Sequence, residues 1–345
     1  MVDNLQLTIV EIISETDDVK TFAFACNKPV VYKPGQFLTF LFERKGSEIR
    51  RSYSLSSSPD TDDRLAITLK RVVNGEISGW WINEAKVGDI LTALPPAGIF
   101  TIDWSTTPRD IFLIAAGSGI TPLYSLLKSA LIKEPHSRIH LVYSSSNQRS
   151  VIFHNQLVEL EKRFPDNLKI EWRLSNHKNL LKARLSTYNL QDLFRHKLVY
   201  PKQNALVYTC GPYNFMMMVQ ITCFTMGFNR NNVRKEIFDI LPPPENTPKY
   251  FDKKDRTITI LYHHQSYTLT VPYNLTILDA ALANDIALPY SCKAGRCSTC
   301  RCKIINGKIW MYYNEVLTDA DEMAGFGLTC TGHPASEGVV ISLED

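Results

Sequence analysis

The sequence has no run of about 18 apolar residues, so nothing in it is long enough to cross a bilayer as a helix. Its opening stretch, MVDNLQLTIVEIISETDD, carries acids where a secretory signal needs a basic segment followed by an apolar one. The expectation is a protein that stays in the cytoplasm. A formal charge of +3 over 345 residues is too small to draw nucleic acid or an anionic membrane surface, and neither is expected as a partner. Internal repeats and low-complexity tracts are missing. The eight histidines (His136, His140, His154, His177, His196, His263, His264 and His333) show no 2-His-1-carboxylate spacing, which argues against a terminal oxygenase. His263 and His264 read as adjacent strand positions on opposite faces. What is present is ordinary for a folded chain of two or three domains, with 44% hydrophobic and 21% charged residues.

Cysteine is unevenly spread. Of eight cysteines, Cys26, Cys210 and Cys223 are scattered, while Cys292, Cys297, Cys300 and Cys302 crowd together and Cys330 follows. Disulfides belong to small secreted domains, so this crowding points to metal chemistry. Cys292-x4-Cys297-x2-Cys300, with Cys330 beyond, has the spacing of plant-type [2Fe–2S] ferredoxins. One loop wraps two irons with three thiolates and a separate segment supplies the fourth. Small residues stand in and beside the loop (Ser291, Ala294, Gly295, Ser298, Thr299), letting backbone N–H groups reach the sulfurs. A structural zinc site favours paired C-x2-C spacings and fits the first gap poorly. Cys302 reads as a buried small residue rather than a fifth ligand.

The chain divides into three parts. Residues 1–103 contain short β-rich segments (5–13, 21–25, 37–42, 53–56, 65–72) broken by Pro, Gly, Asp and Asn, the signature of an antiparallel β-barrel or sandwich. Residues 104–240 alternate strand candidates (111–115, 139–143, 168–174, 205–209, 233–237) with helical patterns (123–132, 153–163, 190–196, 215–226). That order implies an α/β domain with a parallel sheet. Leu241-Pro242-Pro243-Pro244-Glu245-Asn246-Thr247-Pro248 begins a Pro-rich linker over 241–256. Residues 257–345 hold a hairpin (257–261, 267–271), a helix (277–284) and the cysteine cluster.

Two glycine turns mark the second part. Ala116-Gly117-Ser118-Gly119-Ile120-Thr121-Pro122 follows the buried strand; its glycines let the backbone approach a pyrophosphate. Thr121 is expected to cap the helix and Pro122 to sit in its first turn, leaving N–H groups aimed at an anion. Val207-Tyr208-Thr209-Cys210-Gly211-Pro212 ends a later strand. After the second strand, Tyr143-Ser144-Ser145-Ser146-Asn147-Gln148-Arg149 contains no acid to read a ribose 2′-OH. Arg149, with Arg184, leans towards the 2′-phosphate of NADPH, leaving NADPH or NADH as the donor.

These motifs resemble known families. Residues 257–345 resemble the plant-type ferredoxin domain, including Tyr290-Ser291 before the first cysteine and Leu328-Thr329-Cys330 around the last; the resemblance implies a β-grasp fold of the α+β class. The two glycine turns together resemble the nicotinamide domain of the ferredoxin–NADP reductase superfamily, which implies nucleotide contacts at Gly117, Gly119, Thr121, Pro122, Arg149, Gly211 and Pro212 and places Cys210 near the nicotinamide ring. Arg51-Ser52-Tyr53-Ser54 resembles that superfamily's flavin-binding R-x-Y-S motif. It implies that Arg51 meets phosphate, Tyr53 stacks or hydrogen-bonds on the flavin, and Ser54 reaches its reactive edge. Strand alternation places Tyr53 and Ser54 on opposite faces, so a twist or bulge is expected there. Lys33-Pro34-Gly35-Gln36-Phe37 resembles the entry to an earlier barrel strand. Lys70-Arg71-Val72-Val73-Asn74-Gly75-Glu76-Ile77-Ser78 resembles the turn that holds the flavin pyrophosphate, which nominates Lys70, Gly75, Ile77 and Ser78 and implies FAD ahead of FMN. Glu236 falls where the family often has an acid beside the nicotinamide–flavin stack.

The order flavin, nicotinamide, ferredoxin resembles the reductase components of ring-hydroxylating and ring-epoxidising oxygenases, particularly the phenylacetyl-CoA epoxidase reductase type. The function so implied is an NAD(P)H-dependent oxidoreductase that passes single electrons through FAD and [2Fe–2S] to a protein acceptor, an oxygenase component or another redox partner. Ser54, Cys210 and Glu236 flank the hydride path in this reading. A general NADPH–ferredoxin or flavodoxin reductase has the same domain set. An iron–sulfur redox sensor is the reading from another class, without a DNA-binding motif to favour it.

Overall fold

Leu5, Leu7 and Ile9 alternate with more exposed neighbours and all three are buried, the period of a strand with one face on a core. In the computed structural model, which describes residues 4–44, 46–238, 247 and 252–344, they open β1 (Leu5–Thr16). There follow β2 (Val19–Cys26), β3 (Phe37–Arg44), β4 (Ser47–Ser54), β5 (Leu65–Lys70), helix α1 (Glu76–Asn83) and β6 (Ile90–Ala93). The strands lie in the order β4-β3-β6-β1-β2-β5. A bridge between Leu55 and Ile67 and the bond from Ser56 N–H to the Ala66 carbonyl (2.9 Å) join the two outer strands, closing the sheet into a barrel. Trp81 of α1 is fully buried in that barrel, with ring centres of Phe22 and Phe40 at 4.7 and 5.2 Å. Rings so arranged supply much of a small core's cohesion. Neither α1 nor β6 is among the elements expected from the sequence, since Glu76–Asn83 begins inside a segment that reads as a phosphate turn.

The second part is β7 (Asp110–Ala116), α2 (Ile120–Lys133), β8 (Arg138–Ser145), α3 (His154–Arg163), β9 (Leu168–Leu174), α4 (Leu180–Ala183), α5 (Thr187–Lys197), β10 (Leu206–Cys210), α6 (Tyr213–Thr225) and β11 (Val233–Glu236). Its sheet runs β11-β10-β7-β8-β9, with every neighbouring pair parallel. Ile111, Leu113 and Ala115 join one apolar cluster and Phe112 and Ile114 the other, so β7 is covered on both faces, as its unbroken apolar run implies. Serines and charges tie α2 to the barrel loop after β4. Ser125 Oγ donates to the Ser57 carbonyl (2.5 Å), Ser58 and Ser129 share a hydrogen bond (2.6 Å), Lys128 pairs with Asp62, and Lys133 Nζ lies 3.0 Å from Asp60. Barrel and parallel sheet thus make one unit, Asn4–Ile237.

The second unit takes in the chain from Phe238 onward. The prolines of the expected linker lie outside the described residues. Its strands are β12 (Arg256–Tyr262), β13 (Gln265–Val271), β14 (Arg301–Asn306), β15 (Ile309–Met311), β16 (Phe326–Leu328), β17 (Gly332–Pro334) and β18 (Val339–Ser342), with helices α7 (Ile277–Ala283) and α8 (Asp319–Met323). The five-stranded sheet runs β13-β12-β18-β14-β16, with β12 and β18 parallel at its centre. That is the β-grasp arrangement, in which first and last strands pair. His263 and His264 are not strand positions: both have positive φ (53° and 57°) and form the two-residue turn between β12 and β13.

Candidate functional site

The parallel sheet reverses its winding between β7 and β10, and ligands of such sheets bind beyond the carboxyl ends of the strands at that switch point. Here those ends carry both glycine turns. Gly117 has φ +56° and open space where a Cβ would stand, so a ligand can come up to its backbone. Gly119 serves a different purpose. A Cβ there would fall 2.1 Å from the Cys210 carbonyl oxygen, and one at Gly211 would fall 2.8 Å from the Ala116 Cβ. The two motifs interlock, which is why neither tolerates a side chain. Tyr143, for which the sequence gives no functional signal, fixes the turn: its hydroxyl donates to the Gly117 carbonyl (3.0 Å) and accepts from Ile152 N–H (3.2 Å).

Thr121 is not the helix cap. Gly119 holds that position, no side chain caps α2, and the buried Thr121 hydroxyl donates to the Ser118 carbonyl (3.0 Å). Pro122 lies in the first turn, where its missing N–H breaks no bond. The uncapped amides at this end fit a nucleotide pyrophosphate. Arg149 is exposed in a short 3-10 turn just after β8.

Three separated residues meet at the strand ends. Ser54, buried, is the last residue of β4, and its hydroxyl donates to Glu236 Oε2 at 2.7 Å. Glu236 is the last residue of β11 and the register partner of Cys210, the fully buried last residue of β10. Desolvation pushes the Glu236 carboxyl up to about 8, partly offset by the Ser54 hydrogen bond. A carboxyl pushed towards its protonated form by burial and bonded to a serine is a candidate for proton handling.

The strand carrying the R-x-Y-S motif has no bulge. β3 and β4 pair without a register shift from Phe37↔Ser54 to Arg44↔Ser47. The regular pleat sends Tyr53 against Phe40 and Trp81, ring centres 6.0 Å away in both cases, while Ser54 turns to Glu236. Burial raises the Tyr53 phenol well above its usual range. Arg51 is exposed and donates to the Arg50 carbonyl (2.8 Å). Downstream, Gly75 precedes α1, whose first turn has no side-chain cap. Ser78 Oγ is spent on the turn itself, accepting from Val72 N–H (3.1 Å) and donating to the Gly75 carbonyl (3.3 Å). This leaves the backbone amides around Ile77, not the serine hydroxyl, for an anion. Lys70 is exposed and lies 3.3 Å from Asp18. These uncapped amides at the start of α1 fit a flavin diphosphate.

In the other unit the loop after α7 gathers thiols. Ala294 N–H donates to Cys292 Sγ (3.4 Å) and Cys292 N–H to Cys297 Sγ (3.5 Å), and Thr299 Oγ1 is 3.3 Å from Cys297 Sγ. Cys292 Sγ meets the thiols of Cys297 and Cys330 and the amides of Ala294 and Arg296, bonds that hold it well below the usual thiol range; Cys300 bonds to Cys330. The same thiol–thiol bonds and burial push Cys297 and Cys330 up, so what suits an iron–sulfur cluster is the gathering of four thiols beside N–H donors. No group of three or more His, Cys, Asp or Glu among the described residues is arranged as a ready site for a single metal ion. Cys302 is buried on β14 opposite Gly327, and burial pushes its thiol up.

Comparison with known proteins assigns the three parts. The model of the oxidoreductase FAD-binding domain matches residues 5–102, that of the oxidoreductase NAD-binding domain residues 113–221, and that of the 2Fe-2S iron-sulfur cluster binding domain residues 262–335. The chain is 35% identical to the 3-ketosteroid-9-alpha-monooxygenase ferredoxin reductase component of Mycobacterium tuberculosis, across 99% of this chain and 96% of that one. It is 29% identical to a component of the 1,2-phenylacetyl-CoA epoxidase of Escherichia coli, across 98% and 97%. In fold it is similar to phthalate dioxygenase reductase, with a TM-score of 0.60, 23% identity, and 99% and 98% of the two chains covered. No helix among the described residues is long and apolar enough to cross a membrane.

Proposed function

We propose, from the premise that this chain belongs to the family of ferredoxin reductase components joining FAD-binding, NAD-binding and [2Fe–2S] domains, that hydride enters at Ser54, Cys210 and Glu236 and that electrons leave to an oxygenase component. The chain is an NAD(P)H-dependent oxidoreductase whose FAD and [2Fe–2S] cluster supply the change from two-electron to one-electron chemistry. The oxygenase acceptor rests on the relatives, two of which are named as parts of monooxygenase or epoxidase systems; the site of action is the cytoplasm.

The observation that carries the hydride site is the Ser54–Glu236 hydrogen bond at the mouth of β4, β10 and β11. Ser54 orients the carboxyl, and Glu236, neutral up to about pH 8, holds a proton without placing negative charge beside the donor. Cys210 closes the floor and keeps water out. Gly117, Gly119, Pro122, Gly211 and Pro212 shape the bare backbone for the dinucleotide, with Thr121 holding the turn, and Arg149 offers a fork to a ribose phosphate. Arg51, Tyr53, Lys70, Gly75, Ile77 and Ser78 build the flavin seat. Cys292, Cys297, Cys300 and Cys330 ligate the irons. The test is stopped-flow bleaching of the flavin by NADPH and by NADH. Glu236→Gln retains its FAD but bleaches about 100-fold more slowly; an unchanged rate removes Glu236 from the hydride site.

A further inference from the structure

The four-cysteine spacing asks for small residues between the ligands, yet Arg296 stands directly before Cys297. It is 7% exposed. Its Nε lies 2.9 Å from Glu315 Oε2, with the two side chains 6% and 11% exposed, and its Nη2 donates to the Tyr313 hydroxyl at 3.0 Å. The backbone repeats the attachment. Glu315 N–H donates to the Gly295 carbonyl (3.0 Å), and Gly295, at φ +68°, has no room for a Cβ, which would meet the Tyr313 carbonyl oxygen at 2.7 Å. The Arg296 amide itself donates to the Cys292 sulfur. The guanidinium is thus fixed to a loop whose backbone bonds a ligand.

A buried ion pair adds little to stability beyond a well-packed hydrophobic pair of the same volume. It does place fixed charge in surroundings that screen it weakly. Cluster potentials respond to nearby charge. We propose that Arg296 and Glu315 form a potential-setting pair for the iron–sulfur cluster: the guanidinium favours the reduced state, and Glu315 positions it and cancels part of its field. The proposal rests on the reading that Cys292, Cys297, Cys300 and Cys330 hold [2Fe–2S]. Its one-electron step takes the electron from NAD(P)H by way of the flavin and makes or breaks no bond at the pair.

The test is a potentiometric titration of the full-length holoprotein followed by the cluster's EPR signal. Arg296→Met leaves Glu315 uncompensated and lowers the reduced-to-oxidised ratio at a fixed poise about tenfold, roughly 59 mV for a one-electron couple. Glu315→Gln raises it by a similar factor, and the double variant returns near wild type. Arg296→Lys, which keeps the charge, stays within about twofold of wild type. Arg296→Met and Glu315→Gln shifting the potential in the same direction, or either leaving it in place with the cluster retained, overturns the proposal. Should Arg296→Met fail to hold its cluster, Glu315→Gln and Arg296→Lys decide it alone: an unmoved potential in the first or a displaced one in the second overturns it. A wild-type protein without a [2Fe–2S] signal fails one step earlier, at the cluster itself.

Discussion

Three of the four cluster thiols come from one short stretch, Cys292 to Cys300, whereas Ser54 and Glu236, which touch, are 182 positions apart. In the cluster domain a single loop carries the chemistry and the sheet serves mainly to bring Cys330 back to it. In the flavin–nicotinamide unit no segment holds a site of its own. The barrel delivers Ser54 at the end of β4, the parallel sheet delivers Cys210 and Glu236 as neighbours in register, and the Gly119–Cys210 contact fixes the turn against them. A local site is protected by the spacing of its ligands, and an assembled one by packing some distance from the reacting atoms.

The two units separate most clearly when one is cut and the other spared. Cys330→Ser leaves flavin bleaching by NAD(P)H intact and slows cytochrome c reduction about 100-fold; undiminished reduction with the cluster absent takes the cluster out of the path. Gly119→Ala does the opposite. Its Cβ meets the Cys210 carbonyl, so thermal unfolding of the flavin–nicotinamide unit shifts by about 1–3 kcal/mol while the cluster's EPR signal stays. A normal melting temperature contradicts the interlock.

Burial pushes the Glu236 carboxyl up to about 8 in the folded chain against the ordinary 4.5, so the folded state binds this proton more tightly. Its contribution to stability is fully present below about pH 4.5 and is lost as pH rises towards 8. Urea midpoints at about pH 5.5 and 8.5 therefore diverge more in wild type than in Glu236→Gln; equal divergence shows that the carboxyl is not held neutral. Smallest of all is Cys302→Ala. It leaves the EPR signal unchanged and lowers stability by less than about 1.5 kcal/mol, and a lost signal makes Cys302 a ligand.

The same contrast explains what the sequence disclosed. The ligand spacing is readable because it is local, and the buried run 111–115 is readable because a strand covered on both faces has no polar alternation. The bulge expected at Tyr53–Ser54 is absent because the two residues do not share one ligand face: the regular β3–β4 pairing gives Tyr53 to the core around Trp81 and Ser54 to Glu236. Thr121 looks like a cap because threonine before a helical run usually is one, but the glycine turn starts the helix earlier, at Ile120. The anchoring roles of Tyr143 and Ser57–Ser58, and the partnership of Arg296 with Glu315, are contacts between segments distant in the chain, with no periodic signal in either partner. Helix α1 is hidden by its short length and by the phosphate-turn reading of the segment in which it begins.

On this reading one chain takes a hydride in one unit and delivers single electrons from the other. The most direct test is an anaerobic titration of the purified holoprotein with NADPH and, separately, NADH, following flavin absorbance and the cluster's EPR signal together. Flavin absorbance is expected to fall while a [2Fe–2S] radical signal grows in. Flavin bleaching with no cluster signal would contradict this reading.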